Sequence, residues 1–140
     1  MKKQVKDLVN AIVKWAEFKP DILGVALVGS YARDETKIDS DVDLMFLTLT
    51  PKELIDRPDW ITEFGNIKSI KVEDWGLVTS VRVFYQDDLE VEYGITTSEW
   101  VRLPIDGGTR RVISNGIKIL LDKSGLLEKA LKEVSSKNRS

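Results

Sequence analysis

The sequence predicts an α+β fold of mixed α/β character, with one sheet of about five strands packed against helices. Three observations predict it. The segments run helix, strand, helix, then several strands, then helix. The apolar spacing is helical near the start and alternates with period two in the middle. The chain has 140 residues, 42% of them hydrophobic and 31% charged, which suits an ordered soluble domain burying roughly 70% of its unfolded surface. One domain is expected over residues 1–134, with 135–140 a polar tail.

Residues 4–18 read as an amphipathic helix. Val5, Leu8, Val9, Ile12 and Ala16 form its apolar stripe, Val13 and Trp15 widen it, and Pro20-Asp21 stops it. Ile22 to Val28 is an apolar run of strand length ended by Gly29-Ser30. Residues 31–40 are polar and turn-rich. Asp41 to Thr48 is a second strand, with acids at its entrance and Leu44-Met45-Phe46-Leu47 beyond. Thr50-Pro51-Lys52-Glu53 carries the signature of a capping box and a short helix. Asn66 to Val72 and Leu77 to Tyr85 alternate as strands joined near Asp74-Trp75-Gly76, and Gln86-Asp87-Asp88 turns into a strand over Leu89 to Ile95. Thr96 to Glu99 is a second capping signature, opening a short helix that carries Trp100 and Val101. Asp106-Gly107-Gly108 reads as a loop, and Leu126 to Val134 as the last helix.

Composition narrows the chemistry. With no cysteine and no histidine, disulfides, thiolate sites, histidine-ligated zinc and imidazole bases are excluded. Carboxylates, Lys, Arg, hydroxyls and backbone amides remain, and carboxylate sites suit hard cations such as Mg²⁺ or Mn²⁺. A net charge of −2 disfavours a dedicated nucleic-acid binder. No apolar run is long enough to span a membrane, and no stretch of signal-peptide type follows Met1-Lys2-Lys3, so a cytoplasmic protein is expected.

Two stretches carry the chemistry. A strand ending in Gly29-Ser30 and turning into a helix would leave backbone N–H groups and a hydroxyl free to hold a phosphate, although an ordinary strand-ending turn reads the same way. Asp41 and Asp43 are two apart, so in a strand their carboxylates share a face and repel unless a cation joins them. A solvated acidic turn is the alternative; the buried run after them argues that these acids need a partner. Glu90 and Glu92 also share a face, either as further ligands or as solvated acids of an edge strand. The tryptophans at 15, 60, 75 and 100 read mostly as packing residues, and none is singled out as a base-stacking platform.

Gly29-Ser30, Arg33 and Asp41-Val42-Asp43, with a later strand carboxylate, resemble the signature of the polymerase-beta-like nucleotidyltransferase superfamily. Its minimal and antibiotic-modifying members, of kanamycin and streptomycin type, are the branch most resembled, over roughly residues 20–100. The usual glycine after the arginine is Asp34 here. The resemblance implies that fold and an enzyme transferring a nucleoside monophosphate from a triphosphate such as ATP to a hydroxyl acceptor. It implies two Mg²⁺ ions on Asp41, Asp43 and Glu92, with Glu90 the second choice as third ligand. Gly29 and Ser30 would hold the triphosphate, and Arg33 would either steady its phosphates or pair with Asp34 or Glu35. Arg110-Arg111 reads as a further phosphate contact or as solvated loop. Glu90, Glu99 or another carboxylate is left to serve as a base. Two other roles belong to the same resemblance: a regulatory antitoxin partner of a separate helical protein, and a degenerate nucleotide-binding module. A homodimer or helical partner is expected to close the site around the acceptor.

Overall fold

The computed structural model describes residues 1–36 and 41–137. Among the described residues six strands form one mixed sheet: β1 (Ile22–Val28), β2 (Val42–Thr48), β3 (Ile67–Asp74), β4 (Thr79–Tyr85), β5 (Glu90–Thr96) and β6 (Ile117–Asp122). Their order is β3-β4-β5-β2-β1-β6. β2 and β5 run parallel, and the other neighbours are antiparallel. The helices are α1 (Lys3–Glu17), α2 (Pro51–Asp56), α3 (Gly107–Asn115) and α4 (Leu126–Lys137), with 3₁₀ segments at Gly29–Tyr31, Pro58–Phe64 and Ser98–Val101.

Strand alternation divides the core between two faces of the sheet. Val42, Leu44, Phe46, Val81, Val83, Val91, Tyr93 and Ile95 pack with Val5, Leu8, Val9, Ile12 and Ala16, the stripe predicted for α1. Fully burying a side chain such as Ile12 or Leu44 contributes about 1.5–3 kcal/mol. Trp15 and Trp60 stack at 5.2 Å on this side, and the Trp60 indole donates to the Leu54 carbonyl at 2.9 Å. On the opposite face Ala26, Met45 and Leu47 pack with Trp100, Ile113, Leu127, Ala130 and Val134. Among the described residues α3 and α4 pack mainly against β1 and β6, leaving part of this face uncovered, and the site lies there.

Several local expectations need correction. The sheet has a sixth strand, β6, pairing with β1. Asp106 is not loop but the N-cap of α3, its carboxylate accepting from Gly108 N at 2.9 Å. That cap outweighs the poor helix propensity of Gly107-Gly108. The Thr50–Glu53 box does not form: α2 starts with no side-chain cap, and the Thr50 hydroxyl instead donates to Asp21 Oδ2 at 3.4 Å. Gly29-Ser30 opens a single 3₁₀ turn rather than a helix. α4 runs to Lys137, through the first residues expected of the tail; residues 37–40 of the polar turn and 138–140 fall outside the described residues. Among the described residues no helix is long and apolar enough to cross a membrane.

Candidate active site

Three strand ends meet at one edge of the uncovered face. β1 finishes there, while β2 and β5, being parallel, both start there. Asp43 faces Val28 on one side and Glu92 on the other. One carboxylate oxygen from each of Asp41, Asp43 and Glu92 lies within 4.8 Å of the others. All three side chains are half-buried. The structure thus brings Glu92 together with Asp41 and Asp43. Glu90, two residues earlier, lies outside this triad.

The Gly29 turn closes over the acids. Gly29 has φ +72°, a conformation open mainly to glycine, and a Cβ there would collide with Asp43 Oδ2. The Ala32 and Arg33 amides both donate to the Gly29 carbonyl, which tightens the turn. Arg33 pairs with Glu35 at 3.3 Å, one of the two alternatives read from sequence, while Asp34 takes Lys118 at 2.9 Å. The Lys118 ammonium holds the Asp34 carboxyl below its usual range.

Asp43 Oδ1 is buried without a hydrogen-bond partner. An orphaned carboxylate oxygen is costly unless it keeps a proton or meets a cation. Burial first, then the charges of Asp41 and Glu92, push the Asp43 carboxyl up to about 8. Three converging carboxylates of this kind have the chemistry of a hard divalent-cation site, and the orphaned oxygen supplies an unmet valence for one.

Arg82 on β4 is a residue the sequence did not single out. It faces Glu92 across the β4–β5 ladder. Its Nη2 donates to Glu92 Oε2 at 3.0 Å, and its Nη1 donates to Glu90 Oε2 at 2.5 Å and to Asp41 Oδ2 at 3.3 Å. The Ser80 hydroxyl donates to the other Glu92 oxygen at 2.7 Å. Burial alone would lower the guanidinium's pKa, but the three acids reverse this and raise it. The one available signal was that Arg82 is the only charged residue in a strand of otherwise neutral side chains.

A cleft of about 270 Å³ opens beside the triad, lined on its polar side by Gly29, Arg33, Asp43, Ser80 and Glu92. Ser30 lies in the turn outside that lining. The apolar side is formed by Met45, Trp75, Val78 and Val112, which are shared with an adjoining hollow reaching Trp100 and Thr109. Trp75 is 68% exposed, so it is no core residue, whereas Trp60 and Trp100 are buried. Gly94 sits on the cleft floor beside Met45, where a Cβ would crowd the Met45 sulfur. Glu99 is exposed at the far end of β5, in the 3₁₀ segment, 4.0 Å from Arg102, and does not line the cleft. Arg110 and Arg111 are on α3, not on a loop, and do not line it either.

A search of curated protein sequences finds no match. Among solved structures, the chain is similar to an aminoglycoside 6-adenyltransferase from Bacillus subtilis, with TM-score 0.55 and 9% identity, covering 71% of this chain and 37% of that one. It is also similar to a CCA-adding enzyme in its apo form, with TM-score 0.51 and 15% identity, covering 93% of this chain and 32% of that one. This chain therefore spans about a third of the length of each, and at such identities the likeness is one of fold, the nucleotidyltransferase fold. The family model of streptomycin adenylyltransferase matches residues 1–139. The chain belongs to the streptomycin adenylyltransferase family.

Proposed function

We propose that this chain carries the catalytic site of a nucleotidyltransferase that moves a nucleoside monophosphate from a triphosphate to a hydroxyl acceptor. The observation that carries the reading is the convergence of Asp41, Asp43 and Glu92, with Asp43 Oδ1 buried and unpartnered, under the Gly29 turn. These three residues would hold Mg²⁺, with two ions when nucleotide is bound; Mn²⁺ would serve in its place. Such ions supply charge neutralisation at the phosphates and at the attacking and leaving oxygens. The turn at Gly29 and Ser30 would take the terminal phosphates, and Arg33 on the cleft wall would steady them. Trp75 and Val112 offer an apolar surface for a base, which makes Trp75 the stacking candidate that the sequence left open.

The acceptor hydroxyl would enter from the open side of the cleft. Positioning two reactants can be worth roughly 7–11 kcal/mol of a barrier, so an open cleft would bind triphosphate more readily than it transfers. A second copy, a helical partner or a further domain would supply the missing wall. The enzyme would act in the cytoplasm. The test is transfer from α-labelled triphosphates to a panel of hydroxyl compounds in Mg²⁺, comparing the protein with its Asp43→Asn variant. Metal-dependent triphosphate binding that Asp43→Asn abolishes is the expected minimum. Equal binding in both proteins would overturn the reading.

A further inference from the structure

Granted the metal-binding reading above, on which this rests, we infer that Arg82 is a resident cation of the acid cluster. It competes with a divalent ion for Asp41 and Glu92, and it withdraws onto Glu90 when the ion enters. Arg82 has three acidic partners of two kinds. Asp41 and Glu92 belong to the triad, at 3.3 and 3.0 Å. Glu90 does not, yet it makes the shortest contact, at 2.5 Å. Both Glu92 oxygens are already engaged, one by Ser80 and one by Arg82.

A divalent ion among the triad would therefore sit close to a guanidinium, and like charges that near repel even at the effective dielectric of a protein surface. Arg82 has a long side chain, 27% exposed, and one of its anchors lies outside the contested set. It can surrender Asp41 and Glu92 and keep Glu90. This gives Glu90 a task distinct from that of Glu92: it holds the displaced cation.

The test is calorimetric titration of the metal-stripped full chain with Mn²⁺ alone, with thermal unfolding of the same samples. Arg82→Gln should lower the melting temperature without metal and tighten Mn²⁺ binding by about tenfold. Glu90→Gln should weaken Mn²⁺ binding several-fold, because Arg82 then has only the triad to hold. In the Arg82→Gln background the Glu90→Gln change should lose most of its effect, since it acts through Arg82. Should Arg82→Gln not fold, Arg82→Lys serves instead, because an ammonium cannot fork across three carboxylates; Glu90→Gln must then matter less than in the parent.

Additive effects of the two changes would reduce both residues to background charge and overturn the inference, as would weaker Mn²⁺ binding in Arg82→Gln. Either result, with Mn²⁺ binding still lost in Asp43→Asn, leaves the metal site standing. Mn²⁺ binding absent from the parent and from Arg82→Gln alike would overturn both.

Discussion

Replacing Asp43 by asparagine should stabilise the metal-free protein at neutral and mildly alkaline pH. The triad oxygens lie within 4.8 Å of one another. At that separation and an effective dielectric of about 20, each like-charge pair repels by roughly 3.5 kcal/mol before screening. Arg82 offsets part of this, and partial exposure screens more, so a net relief of a few kcal/mol at pH 8 is expected. Asp43 responds by holding its proton, its pKa raised to about 8 against about 3.9 for an unperturbed aspartate. Between those values the folded protein binds the proton and the unfolded chain does not. Stability therefore falls as pH rises from about 4 to about 8 and changes no further above that, as far as Asp43 is concerned. Asparagine removes the titration, so the variant's profile should be flatter, meeting the parent near pH 4 and exceeding it at pH 8. Urea unfolding in chelator at pH 5, 6.5 and 8 measures this. Adding Mn²⁺ should then reverse the ranking, stabilising the parent at pH 8 and the variant little. A variant less stable than the parent at pH 8 in chelator, or one with the same pH slope, would refute the electrostatic reasoning.

Gly29→Ala forces a side chain into the left-handed region and onto Asp43 Oδ2, so it should cost about 1–2 kcal/mol and weaken Mn²⁺ binding, read by denaturation and calorimetry. Gly94→Val should fill the cleft floor above Met45 and lower triphosphate affinity about tenfold while leaving Mn²⁺ affinity near that of the parent; equal loss of both would show that Gly94 serves only packing. Tyr93→Phe is a control on the opposite face. The buried Tyr85 hydroxyl donates to the Ile61 carbonyl, leaving Tyr93 to donate to Tyr85 at 2.9 Å, so the loss should be about 1 kcal/mol of stability with Mn²⁺ binding unchanged.

The features legible in the sequence are those fixed by local spacing. The stripe of α1 from Val5 to Ala16 needs only the helical period, and all five stripe residues are buried. The i, i+2 spacing of Asp41 and Asp43 likewise puts both carboxylates on one side of a strand whatever surrounds it. Features that depend on which distant strands lie side by side were not legible. β6 is half-buried along its whole length and shows no alternation, so its residues gave no period to read. Asp106 caps a helix whose buried residues, Thr109 and Ile113, are too few to show a helical stripe in the sequence.

Glu90 and Glu92 show most clearly where local pattern ends. Both lie on the same face of one strand, and no property of that strand separates them. The parallel register does so, setting Glu92 opposite Asp43 and leaving Glu90 one step beyond the triad. The antiparallel register of β4 then sets Arg82 opposite Glu92, within reach of both glutamates. A lone arginine in a neutral strand reads as a solvated residue until the neighbouring strand is known to bring acids to it. One pairing between distant segments, β2 with β5, and one hairpin pairing, β4 with β5, thus turn four acids and one cation into a cluster with unequal members. Three acids share an oxygen cage, and the fourth holds the cation from outside it. Glu90 and Glu92 are the same residue type on the same face of one strand, so side-chain chemistry does not distinguish them. What differs is only the partner each position meets. The positions, not the residues, carry the distinction, and the fold alone assigns them.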